Sequence, residues 1–341
     1  MTDKPRILIS DPTLRDGSYA VAHKLSIKQI CAYAAAADAA GIPVVEVGHG
    51  NGLGASSLQV GESAVSDEEM LTAARKNLKR SKLGIHVIPG FATINKDLSK
   101  AVDLGVDVFR IASHCTEADT TQRHISFVRE RGKIAYGVLM MSHMAPNDVL
   151  LEECRKMESY GAEGVVLMDS AGFSVPSDVT ERIGFLVDAL SIPVGFHSHN
   201  NLGLAIANSI AAAQAGATIL DGTARGFGAG AGNAQLEVLV AVLHRLGFET
   251  GIDLYKVLDA ADLAEKEVLP ALPAIKSISI VSGLAGVFSG FSKHVMRVSE
   301  EFKVDPRDVF FELGKRKVVA GQEDIIIEVA DQLAASKRER S

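Results

Sequence analysis

Short apolar runs alternate with helix-forming stretches along most of this 341-residue chain. That rhythm limits the fold more than any single motif. The runs are Ile7–Ser10, Val44–Val47, Leu83–Ile88, Val108–Ala112, Ile134–Met140, Gly164–Met168, Val194–His197 and Thr218–Leu220. Amphipathic segments lie between them, among them Ser26–Ala40, Asp67–Arg80, Glu117–Arg131, Ala145–Tyr160, Ser177–Ala189 and Asn201–Ala215. Ser26, Ser66 and Ser177 stand where helix N-caps are expected. Strand and helix in alternation imply a parallel sheet. Eight such units by about residue 245 match the size of a TIM (β/α)8 barrel, whereas a doubly wound sheet would use fewer strands. The expected fold is therefore α/β: a TIM barrel over residues 1–255, followed by a helical C-terminal domain over 256–341. Helices are expected there at Tyr255–Val268, Ile280–Phe302, Asp305–Leu313 and Gln322–Ala335, with a charged, frayed end at Ser336–Ser341.

Polar residues cluster at the ends of the strand candidates. They are Asp16, Glu46, His86, His114, Ser142 with His143, Asp169 with Ser170, His197 with His199, and Asp221. In a TIM barrel that face carries the active site. His197 and His199 are two residues apart on a strand, so both imidazoles point the same way. A carboxylate from Asp16 would complete a set of two histidines and one acid for a divalent metal, with coordination positions left open. Arg15 beside it supplies a fixed cation for a developing oxyanion. Ser170, in Asp169-Ser170-Ala171-Gly172, lacks the surroundings of a nucleophile elbow and suits hydrogen bonding to a substrate carboxylate. Tyr19 and His23 follow the Arg-Asp turn, and either could act as acid or base. His49, His86, His114 and His143 are further pocket candidates, while His124 and His244 fall on helices.

The glycine-rich run Gly226–Asn233 matches a dinucleotide fingerprint poorly, because it follows the eighth strand candidate and not the first. It reads better as a loop over the barrel mouth, with backbone N–H groups available to an anion and Asn233 within reach of the metal. A formal charge of −7 argues against nucleic acid and acidic lipid as partners. No apolar run is long enough for a membrane span, and the start of the chain lacks the apolar stretch of a signal peptide. Three scattered cysteines suit a reducing cytoplasm.

The motifs TLRDGS, VVEVGHGNGLGASS, LMMSHMAP, DSAG, GFHSHNNLGLAIANS, GAGAGNAQLEVL and FELGKRKVVAGQEDII together resemble the 4-hydroxy-2-oxovalerate aldolases. These lie within the wider group of metal-dependent barrel lyases and synthases that includes HMG-CoA lyase. The resemblance spans nearly the whole chain. It implies a class II aldolase specific for pyruvate, using Mn2+ or a related divalent ion (Mg2+, Co2+ or Zn2+) held by Asp16, His197 and His199. It assigns Arg15 to the pyruvate enolate and Ser170 to the pyruvate carboxylate. An acylating acetaldehyde dehydrogenase partner, contacted through the C-terminal region, and an oligomeric assembly are further expectations. Three positions depart from the family pattern. Tyr19 stands where the family's histidine base is usual, Phe288 where a tyrosine is usual, and His86 where an aliphatic residue lines the aldehyde pocket. The expected function is reversible cleavage of a 4-hydroxy-2-oxoacid. The alternatives are a related reaction with a different acceptor and a weakly catalytic partner subunit of a dehydrogenase.

Overall fold

The computed structural model describes residues 5–319 and 321–339. Eight parallel strands close into a barrel in chain order. The barrel units are β1 (Leu8–Leu14), α1 (Ile27–Ala40), β2 (Val44–Val47), α2 (Asp67–Asn77), β3 (Lys82–Val87), α3 (Ser99–Asp103), β4 (Val108–His114), α4 (Gln122–Glu130), β5 (Ile134–Met140), α5 (Asn147–Ser159), β6 (Gly164–Asp169), α6 (Pro176–Ala189), β7 (Val194–Ser198), α7 (Ala205–Gln214), β8 (Ile219–Asp221) and α8 (Leu236–Arg245). After them come α9 (Leu254–Glu267), α10 (Ser277–Ala285), α11 (Ser292–Phe302), α12 (Pro306–Lys315) and α13 (Asp324–Glu339). The expected TIM barrel with C-terminal helices is thus the observed architecture. Of the expected frayed end, residues 340 and 341 lie outside the described residues, and α13 runs to Glu339.

Local chemistry explains most boundaries. Ser26 and Ser66 each close a capping box, with Gln29 and Glu69 respectively, worth about 1 kcal/mol apiece. Ser177 does not cap α6. Pro176 occupies the first helical position, where its missing N–H costs nothing, and Val175 is the cap. The stretch expected as one helix over Ile280–Phe302 is broken. Gly286 ends α10 with φ +65°, and α11 starts only at Ser292. The helix expected from Glu117 begins at Gln122 after a 3-10 turn, and the one expected from Asn201 begins at Ala205.

One large apolar cluster joins the outer faces of the strands to the surrounding helices and to α9. A second, separate cluster is built from Val287, Phe291, Val295, Val309, Phe310, Ile326 and their neighbours on the C-terminal helices. The two regions meet near the barrel mouth. There His143 Nε2 lies 3.0 Å from the Gly286 carbonyl, and its ring stacks on Phe173. Among the described residues no helix is long and apolar enough to cross a membrane.

Candidate metal and keto-acid site

The end of β1 is irregular. Its pairing with β2 slips between Asp11 and Leu14, a bulge that re-aims the residues following it. Arg15 and Asp16, which would face opposite ways in a regular strand, both reach the barrel mouth. From the far side of the barrel, β7 brings His197, and His199 follows just beyond its end. The ligand atoms of Asp16, His197 and His199 lie within 4.8 Å of one another, and all three residues are buried. Residues nearly 200 positions apart in the chain therefore converge as expected.

Second contacts orient each of these groups. His197 Nδ1 lies 2.8 Å from Asp221 Oδ2, a contact that orients the ring and turns its Nε2 toward His199 Nε2 at 3.3 Å. Burial pushes the His199 imidazole down to about 4, against the pull of Asp16. Asp16 Oδ1 accepts from Asn233 Nδ2 at 3.0 Å and from the Ala229 N–H at 3.2 Å. Burial alone would favour its neutral acid. The Arg15 guanidinium at 2.8 Å, helped by His199 and His197, instead holds the carboxyl well below its usual range. The glycine-rich loop therefore spends this N–H on Asp16 and not on a free anion, and Asn233 reaches the same carboxylate.

Beneath this lies an ionic layer. Arg15 Nε donates to Glu46 Oε2 at 3.1 Å. Glu46 also pairs with Arg110, whose other arm reaches Asp221 Oδ2 at 2.7 Å. Burial opposes Glu46 ionisation, but Arg110 and Arg15 hold its carboxyl at about 2. Arg110 was not anticipated from the sequence. The available signal was a lone arginine inside the apolar run Val108–Ala112, where an unpaired charge would be prohibitively costly.

The layer fits a cation. Three buried carboxylates (Asp16, Glu46, Asp221) face two guanidiniums (Arg15, Arg110). Two imidazole Nε2 atoms aim at one spot, and among the described residues Asn233 Oδ1 is buried without a partner. Two histidines and an acid are a donor set for a divalent metal. Arg15 Nη2 is also buried and unpaired among the described residues, an open donor beside the cluster. Ser170 follows β6, and its Oγ accepts the Met141 N–H at 3.0 Å. Its own proton finds only the Met168 carbonyl at 3.5 Å, so the hydroxyl can turn to a ligand. The neighbouring Asp169 serves the turn, accepting from Phe173 and Ser174.

The titratable side chains elsewhere at the mouth are held toward their neutral forms. Tyr19 is half-buried and donates its hydroxyl proton to Asn51 Oδ1. Burial, then the charge of Asp16, push its phenol up. His23 stacks on His49 with ring centroids 3.6 Å apart, and its Nδ1 sits 3.0 Å from Ser18 Oγ. Burial, then His49, Lys293 and Lys24, push the His23 imidazole down to about 3. His49 donates to the Gly61 carbonyl and accepts from the Asn51 N–H, so it pins the loop after β2. His86 is buried inside the barrel, where burial and then Arg15 hold its imidazole well below its ordinary value. Phe288 lies in the segment after α10 and packs edge-on against Phe291, within the C-terminal cluster. His114 pairs with Thr116.

A closed parallel barrel carrying this donor set at its C-terminal mouth defines a class, and the chain belongs to the HMGL-like family, which it matches over residues 6–264. Residues 273–335 match a DmpG-like communication domain. Within that class the chain belongs with the 4-hydroxy-2-oxovalerate aldolases. It is 65% identical to the protein of that name from Pectobacterium atrosepticum, over 96% of each chain. It is 63% identical to the one from Spirochaeta aurantia, over 97% of each. Among solved structures, the N-terminal domain of a putative aldolase from Bacteroides vulgatus superposes with a TM-score of 0.72 at 26% identity, covering 87% of this chain and 98% of that one. The carboxyl transferase domain of Rhizobium etli pyruvate carboxylase gives 0.79 at 15% identity, a likeness of fold alone. The match covers 98% of this chain, which spans 61% of that one.

Proposed function

We propose that the chain cleaves a 4-hydroxy-2-oxoacid such as 4-hydroxy-2-oxovalerate, reversibly, to pyruvate and an aldehyde. The observation that carries this reading is the meeting of Asp16, His197 and His199 within 4.8 Å, beside the unpaired Nη2 of Arg15. These three residues would hold a divalent ion, Mn2+ or one of Mg2+, Co2+ and Zn2+, and such an ion supplies Lewis-acid polarisation of the 2-oxo acid. Arg15 donates from Nη2 to the 2-oxo oxygen, which gains negative charge as the C3–C4 bond breaks and pyruvate enolate forms. The Ser170 hydroxyl donates to the substrate carboxylate. The 4-hydroxyl proton leaves through a water held by His23, whose imidazole burial keeps uncharged near neutral pH. Tyr19 stays protonated and orients the substrate, while His86 and Phe288 border the aldehyde end. Because Tyr19 replaces the histidine base, a second reading keeps the same enolate but gives it a different acceptor. Screening aldehydes for bond formation with pyruvate decides between the two.

The C-terminal helices would dock an acylating acetaldehyde dehydrogenase. Their match to a communication domain and their separate apolar cluster support this. A reducing, cytoplasmic setting is in keeping with the three free cysteines. The direct test is Asp16→Ala, expected to lose Mn2+ binding and pyruvate release together. Full cleavage by the metal-stripped variant would overturn the assignment.

A further inference from the structure

Asn201 is fully buried, two residues beyond His199, and three separate segments crowd against it. Each segment presents a glycine at the contact. A Cβ at Gly172, in the turn after β6, would lie 2.8 Å from the Asn201 backbone nitrogen. One at Gly230, in the glycine-rich loop, would lie 2.9 Å from Asn201 Oδ1, and one at Gly283, in α10, 3.1 Å from Asn201 Cβ. The side chain bonds in two directions. Its Oδ1 accepts from the Ala231 N–H at 3.3 Å, fixing the loop whose Ala229 N–H and Asn233 hold Asp16. Its Nδ2 donates to Ser289 Oγ at 3.0 Å, and that hydroxyl reaches the Ser170 carbonyl at 3.4 Å. Ser289 belongs to the segment between α10 and α11.

We propose that Asn201 is a positioning residue that ties the C-terminal helices to both anchor points of the keto-acid site, Asp16 through the loop and Ser170 through Ser289. The inference rests on the proposed metal and pyruvate reading of those two anchors. An amide is the fitting side chain, because only a group with an acceptor and a donor at its tip serves both arms at once. The two arms are separable, which a purely structural asparagine would not show.

The test measures Mn2+ binding by titration calorimetry, and pyruvate binding at saturating Mn2+, on the full chain. Asn201→Ala is expected to weaken both by about tenfold, since each arm leaves a buried group unpaired. Ser289→Ala cuts one arm, so pyruvate weakens by roughly three- to tenfold while Mn2+ binds as in the parent. Asn201→Asp keeps the acceptor and loses the Nδ2 donor, and should reproduce the Ser289→Ala pattern. If Asn201→Ala fails to fold, these last two variants decide. Parent-like binding of both ligands in a folded Asn201→Ala overturns the proposal, as does equal weakening of Mn2+ and pyruvate in Ser289→Ala. Failure of the underlying metal reading shows elsewhere, as parent-level Mn2+ binding in Asp16→Ala.

Discussion

The two halves of the barrel mouth follow opposite electrostatic rules. On one side Asp16, Glu46 and Asp221 interlock with Arg15 and Arg110, so every buried charge has a partner. Each pairing offsets the desolvation that would otherwise neutralise the acid. On the other side Tyr19, His23 and His49 have no ion-pair partner among the described residues, and burial drives each toward its neutral form. The charged half can hold a cation and an anionic keto acid. The neutral half can face an uncharged aldehyde without competing for the metal. One reaction needs both, because its substrate is a charged head on a neutral tail.

The largest test of this contrast removes the open donor from the charged half. Arg15→Met should lower kcat for cleavage by roughly 10^2- to 10^3-fold, the usual cost of an oxyanion donor. Mn2+ binding should survive, because the cation itself offsets the charge of Asp16 in place of the guanidinium while Asn233 and Ala229 keep the carboxylate oriented. Loss of metal together with rate would show that Arg15 only shapes the Asp16 carboxylate. The same contrast extends outside the mouth to Asp11, a buried acid with no cation. Its partners are Thr13 and the Tyr33 hydroxyl at 2.7 Å. Burial outweighs these bonds and pushes its carboxyl up to about 6. A raised folded value means the native state binds the extra proton, so this group stabilises the fold at low pH and loses that contribution as pH rises from about 4 through 6. Glu46, held at about 2, acts oppositely and loses its contribution as pH falls from about 4.5 toward 2. Asp11→Asn should therefore flatten the stability profile between pH 4 and 6 by up to about 3 kcal/mol, read by denaturant unfolding at several pH values. An unchanged slope there would place Asp11 among the ionised groups.

Part of the charged half was legible in the sequence, and the reason is chemical. A candidate donor set needs particular side chains at particular spacings, and His197-Ser198-His199 at a strand end has that pattern. The barrel showed through its eight apolar runs, since strand and helix periods differ. Arg110 escaped because a side chain in mid-strand carries no spacing signal, and only its partners, distant in sequence, reveal its purpose. The break at Gly286 was hidden inside a continuous helical pattern that a single left-handed residue ended. Asn201 escaped too, read as the first residue of the helix expected over Asn201–Ala215. Its role comes from three backbones closing on one asparagine, which no local pattern encodes.

The smallest expected effects lie in the neutral half and bear on how the proton leaves. A base works best when its pKa lies near the working pH. His23, pushed down to about 3, is far below that, so its contribution should be weak: His23→Asn is expected to lower kcat by only about tenfold. With Mn2+ saturating, the parent should show no acid limb from His23 between pH 5 and 8, because the imidazole is already unprotonated throughout. Tyr19→Phe removes a hydroxyl whose proton is committed to Asn51, and should cost about threefold or less, mostly in KM. Tyr19→His is the sharper variant. It places an imidazole of more ordinary basicity beside Arg15 and Asp16, and should raise cleavage while introducing an acid limb near pH 6 to 7. A parent profile that already bends in that range would mean a base other than a depressed His23 takes the proton, and the neutral half would then hold a titrating group.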